Sequence, residues 1–145
     1  RAIMTTEIVN EDGVLYYYEN GRRKNNAGIV KFGDDYYHVG SGAICTTNQS
    51  TWVEITNGFV SKGTYRFDAN GKMIITTEIV DEDGTLYYYK NGKLFYAGLI
   101  KIDNDYYYVN SACKLITGRK YWISKTNGLL PETSYTFDEQ GRIVF

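Results

Sequence analysis

The side chains best suited to chemistry in this sequence are aromatic. Two tryptophans, Trp52 and Trp122, occur at equivalent points of a repeated pattern, together with 15 tyrosines and 6 phenylalanines among 145 residues. An aromatic ring presents an apolar face that can stack on a sugar ring or attract a cation, and tyrosine and tryptophan add a polar group at the edge. Core packing is the competing role, because adjacent strand residues point to opposite faces and at least one face of each tyrosine run must pack.

Catalytic and metal chemistry has much weaker support. The chain has one histidine, His38, and two cysteines, Cys45 and Cys113, which leaves little for a Cys/His pair or a metal cluster. Most carboxylates lie in repeated turns, whereas a glycosidase needs two carboxylates at a defined separation in a cleft. The acidic turns at 10–13 and 81–84 could suit calcium, but the complete calcium loop is missing. We therefore predict no enzyme activity, no metal, no cofactor and two separate, half-buried free thiols.

Composition excludes further classes of function. The formal net charge is −1, so the chain lacks the excess of cations that would neutralise a row of phosphates. No run approaches the roughly eighteen consecutive apolar residues of a membrane helix. Aromatic residues make up 16% of the chain, an apolar content that disordered chains lack. We predict a folded chain with no nucleic-acid partner and no membrane insertion.

The chain contains an internal duplication. Residues 5–9 recur as 76–80, the acidic turn and tyrosine run at 11–18 recur at 82–89, and the Thr-Asn-Gly of 56–58 recurs at 126–128. Self-similarity at a fixed period is the signature of a repeat architecture. We predict a first repeat at 1–75 and a second at 76–145. Since residues 1–4 align with 72–75, the chain begins within the pattern, and we expect it to be a fragment of a longer protein.

Each copy has the pattern of short hairpins. Aromatic and β-branched runs are separated by Asp-Gly and Asn-Gly pairs, which supply the positive φ angles of tight turns. No long apolar stripe of helical period occurs. In the first copy the hairpins cover residues 8–23, 28–47 and 52–74. The predicted fold is all-β, a tandem β-hairpin repeat solenoid with two copies of a unit of about 70 residues, each holding three hairpins.

The repeated segments resemble a known family. Residues 65–73 (Tyr-Arg-Phe-Asp-Ala-Asn-Gly-Lys-Met), their counterparts 135–143, and the Gly-Ile-Val-Lys of 28–31 are similar to bacterial cell-wall-binding repeats. These are the choline-binding and glucan-binding repeats of Gram-positive surface proteins, related to the repetitive oligopeptides of clostridial toxins. The resemblance covers essentially the whole chain. It implies a hairpin solenoid, an extracellular, cell-surface or cell-wall location, and a non-catalytic binding role.

The resemblance also implies which aromatics bind. In choline-binding repeats a cage is formed by the Trp after Gly, the aromatic before Tyr-Tyr, and an aromatic of the neighbouring hairpin. Here Ile29 and Leu99 replace that Trp in the second hairpins, so we do not expect a full choline cage. The tryptophans of the third hairpins still resemble the cage Trp. The ligand-binding residues implied are Trp52, Trp122, Tyr36, Tyr37, Tyr106 and Tyr107.

We therefore predict a non-catalytic module that attaches a bacterial surface or secreted protein to a cell-wall polymer or glycan. One alternative is a structural spacer or stalk that projects another domain. A second is an adhesin module that binds a host surface protein, since tyrosine and tryptophan also dominate protein interfaces. Aromatic rings pointing outward into a groove favour binding, whereas complete burial of the rings favours the spacer.

Overall fold

The computed structural model describes residues 5–145, so the aligned start at 1–4 lies outside the described residues. The chain divides into two compact units, Arg1–Ile75 and Thr76–Phe145. The first unit contains strands β1 (Glu7–Glu11), β2 (Val14–Glu19), β3 (Arg22–Arg23), β4 (Gly28–Phe32), β5 (Asp35–Val39), β6 (Gln49–Val53) and β7 (Gly63–Phe67). A single 3₁₀ turn, Ser41–Ala43, follows β5.

The second unit repeats the order of the seven strands and adds a short final strand. Its strands are β8 (Glu78–Glu82), β9 (Thr85–Lys90), β10 (Lys93–Leu94), β11 (Gly98–Ile102), β12 (Asp105–Val109), β13 (Arg119–Trp122), β14 (Ser134–Phe137) and β15 (Ile143–Val144). In each unit the hairpins are antiparallel, with β1 on β2, β4 on β5 and β6 on β7 in the first. The predicted all-β hairpin-repeat fold is confirmed.

The acidic turns have a structural role. Asp12 and Gly13 both have positive φ, 54° and 88°, as a two-residue turn between twisted strands requires. The Gly13 N–H donates to Asn10 Oδ1 at 2.8 Å, and the Gly84 N–H donates to Asp81 Oδ1 at 2.7 Å. These side-chain oxygens, considered above as calcium ligands, are therefore engaged in closing the turns.

Successive hairpins within a unit are joined by backbone hydrogen bonds. The Cys45 N–H, after the second hairpin, donates to the Leu15 oxygen of the first hairpin at 2.8 Å. The Met73 N–H, after the third hairpin, donates to the Tyr36 oxygen of the second at 2.8 Å. Each hairpin thus covers the one before it, as in other repeat proteins whose units cannot bury an apolar face alone.

Tyrosines and aliphatic residues share the core. One cluster of the first unit is built on Tyr17, Val39 and Cys45, and a second contains Ile29, Val53, Tyr65, Phe67 and Met73. Ile29 and its counterpart Leu99 are 0% and 1% exposed. The two positions at which the sequence departs from the cage Trp are therefore core positions.

The third hairpin has a longer connecting loop than the first two. Asn57 and Gly58 have positive φ, but they lie within a loop, residues 54–62, that joins β6 to β7. Asn127 and Gly128 lie in the corresponding loop between β13 and β14. These Asn-Gly pairs form turns with positive φ, as predicted, but each turn lies within a longer connecting loop. Both cysteines are free, as predicted, and Cys45 is buried rather than half-buried. Among residues 5–145, no helix is long and apolar enough to cross a membrane.

Candidate functional site

The two tryptophans face solvent. Trp52 and Trp122 are each 56% exposed, whereas the next residues, Val53 and Ile123, are completely buried. Adjacent residues of a strand point to opposite faces, so each indole lies on the outer face of its hairpin. A side chain this exposed contributes little to packing and remains accessible to a ligand.

The edge of the first indole is held by a charged neighbour. Trp52 Nε1 donates to Glu54 Oε1 at 3.1 Å, and Lys62 forms an ion pair with the same carboxylate. Hydrogen bonds from Lys62 and then from Trp52 lower the pKa of Glu54. In the second unit Ser124 follows Trp122 at the same distance along the chain, so the Trp122 edge lacks this carboxylate.

Strand register shows that Trp52 does not occupy the hairpin position of the cage Trp. The fourth residue of β4, Lys31, pairs with Tyr36, and the fourth residue of β6, Trp52, pairs with Thr64. Trp52 therefore occupies the register position of Lys31 and not that of Ile29, the second residue of β4. The sequence comparison matched Trp52 to the cage Trp because both residues are tryptophans. The pairing of the strands shows that the two residues occupy different positions of the hairpin.

Tyr36 and Tyr106 lie on the inner side. Tyr36 packs against the cluster that contains Val53, and Tyr106 packs against the cluster that contains Ile123. Since Val53 and Trp52 point to opposite faces of β6, the cluster against which Tyr36 packs lies on the side of the strand away from the Trp52 indole. The same relation separates Tyr106 from the second tryptophan.

A lysine lies over each of these tyrosines. Lys31 Nζ is 5.7 Å from the Tyr36 ring centroid, and Lys101 Nζ is 5.5 Å from the Tyr106 ring centroid. Ammonium groups at this distance interact favourably with the ring face. Both units thus repeat a lysine–tyrosine pair on the second hairpin.

Tyr37 and Tyr107 are half-buried packing residues. The Tyr37 ring lies edge-on to Phe32 with centroids 6.0 Å apart, and burial raises the pKa of both tyrosines. A Cβ added at Gly71 would lie 3.3 Å from Tyr37 Cδ2, and one at Gly141 would lie 3.5 Å from Tyr107 Cδ2. The glycines of these turns allow the close approach of the two rings.

The first unit also contains a groove that the sequence did not predict. It has a volume of about 530 Å³ and lies between the first two hairpins and the 54–62 loop. Trp52, Tyr36 and Tyr37 do not line it. Its aromatic and charged lining residues are Tyr17, Phe32, Phe59, Lys24, Lys31 and Glu19.

The 54–62 loop forms one wall of the groove because Asn57 fastens it to the second hairpin. Asn57 Nδ2 donates to the backbone oxygens of Ala27 and Ile29, both at 2.8 Å. The Ile29 N–H in turn donates to the Ile55 oxygen at 2.9 Å. The repeated Thr-Asn-Gly was the sequence signal for this arrangement, but its pattern alone does not show which strand the amide reaches.

The second unit keeps this fastening and changes the groove residues. Asn127 Nδ2 donates to the oxygens of Ala97 and Leu99 at 2.7 and 2.9 Å. At the positions of the groove residues, the chain has Lys90 for Glu19, Phe95 for Lys24, Ile102 for Phe32 and Leu129 for Phe59. The groove lining is therefore particular to the first unit.

Comparison with solved structures identifies the fold. No protein-family model matches the sequence, and the search of curated proteins finds no match. Choline binding protein F from Streptococcus pneumoniae superposes with a TM-score of 0.60 at 18% identity, over 97% of this chain and 41% of that protein. CbpJ from S. pneumoniae gives a TM-score of 0.57 at 18% identity, over 97% of this chain and 52% of that one.

The modular Cpl-1 endolysin, solved with a peptidoglycan analogue, gives a TM-score of 0.53 at 20% identity, over 99% of this chain and 38% of the endolysin. The chain thus spans about half or less of the length of these three proteins. These similarities confirm the resemblance to cell-wall-binding repeats that the sequence predicted. The chain has the β-hairpin repeat fold of the choline-binding proteins.

Proposed function

We propose that this chain is a non-catalytic attachment module that binds a cell-wall polymer or glycan on a bacterial surface. The observation that carries the proposal is the exposure of Trp52 and Trp122 at the same strand position in both units. Most other aromatics of the chain pack at least partly, so two exposed indoles at repeated positions are unusual. An indole face is well suited to stacking on a sugar ring.

The similar structures support the same class of ligand. One is named as a choline-binding protein, and another was solved with a peptidoglycan analogue. These descriptions apply to those two proteins. The proposal for this chain is a ligand of the same class, a cell-wall polymer or glycan at the extracellular face of the cell. The proposal concerns the module alone, because the chain covers 41% and 38% of those two proteins.

The exposure of the tryptophans supports binding over the spacer alternative, since a stalk has no need of exposed indoles. The separation of Trp52 from Tyr36 changes the expected mode of binding. Each unit offers a small stacking surface on its outer face, not one deep cage. We therefore expect weak binding per unit, strengthened when two or more units engage the same polymer.

Sedimentation of the chain with purified Gram-positive cell walls tests the proposal. Replacing both Trp52 and Trp122 with Ala is expected to weaken binding about tenfold, the loss of two aromatic stacking contacts. Val14→Ala is the control, because Val14 is an exposed apolar residue at 37% and lies in β2, a strand of the first hairpin, whereas the tryptophans lie in β6 and β13. All variants are expected to melt within a few degrees of the wild type.

Two outcomes would contradict the proposal. The first is no binding to cell walls or to a panel of wall glycans, choline and teichoic acids. The second is binding that the Trp52/Trp122 double variant retains in full, which would remove the tryptophans from the site.

A further inference from the structure

The groove of the first unit has the lining of a small-molecule site. We propose that it binds a sugar ring that carries a carboxylate, an acidic unit of a glycan. This inference rests on the proposed glycan-binding function and adds a second site, distinct from the exposed tryptophans.

The aromatic walls suit a sugar ring. Tyr17 and Phe32 meet edge to face with centroids 6.1 Å apart at one side. Phe59, 45% exposed, stands at the other side and is held by Tyr36 at a centroid distance of 5.8 Å. The volume of about 530 Å³ falls within the range of ligand pockets. The groove can therefore enclose a ring between apolar surfaces.

The charges favour an anionic group on that ring. Two lysines, Lys24 and Lys31, and one carboxylate residue, Glu19, line the groove. Glu19 is already engaged, because it accepts from the Tyr17 hydroxyl at 3.2 Å and lies 3.9 Å from Lys24 Nζ. The lining thus carries a net positive charge, which attracts a carboxylate and disfavours a quaternary ammonium.

The second unit shows which features are specific to this groove. Phe95 replaces Lys24 and Leu129 replaces Phe59. Lys90, which replaces Glu19, lies over the Phe95 ring at 5.0 Å. The second unit nevertheless retains the lysine of the second hairpin, Lys101, over Tyr106. Lys31 and Lys101 therefore form a matched pair, only one of which lines the groove.

Nuclear magnetic resonance titration of the whole chain tests the ligand class. The probes are two pairs of sugars, N-acetylglucosamine with N-acetylmuramic acid, and glucose with glucuronic acid. Within each pair the second sugar carries a carboxylate. We expect the acid to bind about fivefold more tightly, the effect of one exposed ion pair, with shifts at the amides of Ala27 and Val30, which line the groove.

A preference for the acid in only one pair would support the proposal and identify the source of the carboxylate. Equal affinity for acid and neutral sugar in both pairs would overturn it, as would tighter binding of choline than of either acid at the same amides.

Three variants locate the contact. Lys31→Ala is expected to abolish the preference for the acid, whereas Lys101→Ala is expected to retain it. Phe59→Leu, which introduces the residue of the second unit, is expected to weaken the binding of acidic and neutral sugars alike. Equal losses from Lys31→Ala and Lys101→Ala would overturn the proposal.

This test is separable from that of the attachment function. Binding to cell walls with no acid preference in the groove would refute the groove inference alone. Absence of wall binding, with the acid preference retained, would refute the attachment function and leave the groove assignment standing.

Discussion

The side-chain nitrogen of Asn57 lies 2.8 Å from the backbone oxygen of Ile29, across 28 residues of sequence. The same nitrogen donates to Ala27, so one amide satisfies two carbonyl groups of the second hairpin. The contact holds the 54–62 loop against β4 and places Phe59 at the groove. Asn127 makes the corresponding contacts in the second unit.

Asn57→Gly is expected to destabilise the fold by about 1–3 kcal/mol, because two backbone oxygens lose their donor. Glycine keeps the positive φ of 52°, so the substitution isolates the side-chain hydrogen bonds. Asn48→Gly is the control, since Asn48 is exposed and has the same φ of 52°. Urea denaturation measures both, and an equal effect of the two substitutions would contradict the role of the amide.

Gly28 is predicted to be irreplaceable for steric reasons. Its φ is +77°, and an added Cβ would lie 2.3 Å from the Ile55 oxygen, which accepts the Ile29 N–H. Gly28→Ala is expected to cost about 3 kcal/mol or more, since the backbone of the 54–62 loop must move.

Gly13→Ala separates the steric effect from the dihedral effect. Gly13 has a φ of +88°, and no atom lies within 4 Å of its added Cβ. We expect this variant to lose only about 1–2 kcal/mol, the cost of a left-handed residue with a side chain. If thermal or urea unfolding shows the same loss for both variants, the clash with Ile55 is not decisive.

The local parts of the fold could be predicted from the sequence, and the contacts between distant segments could not. Asp12-Gly13 indicates a tight turn by itself, because the φ preferences of these residues are local. The direction in which Trp52 points depends on strand register, and a shift of one residue reverses it. The groove depends on Asn57 reaching a strand 28 residues earlier, which no local pattern specifies. Its aromatic lining residues resemble ordinary core residues in the sequence.

His38 is predicted to make stability depend on pH. Burial lowers the pKa of His38 from its ordinary value, and its Nδ1 lies 2.8 Å from Thr46 Oγ1. Because the unfolded chain binds the proton more readily, the contribution of His38 is present above about pH 6.5 and is lost as the pH falls below that value. His38→Tyr, the residue of the second unit at this position, should remove this component. Urea unfolding at pH 5 and pH 7.5 provides the measurement, and an identical pH dependence in both proteins would contradict it.

Replacing Ile29 with Trp tests whether a choline cage can be restored. Ile29 is fully buried in the cluster that contains Val53, Tyr65 and Phe67, so a larger side chain must displace its neighbours. Ile29→Trp, which introduces the residue of the choline-binding repeats, is expected to destabilise the chain by about 1–3 kcal/mol through overpacking. Ile44→Trp is the control, because Ile44 is 42% exposed, and its stability should change by less than about 0.5 kcal/mol. Urea denaturation measures stability, and titration with choline measures any gain in binding. The prediction would be contradicted if the Ile29→Trp variant were as stable as the wild type and also bound choline. That result would show that the buried position of Ile29 accepts a cage residue.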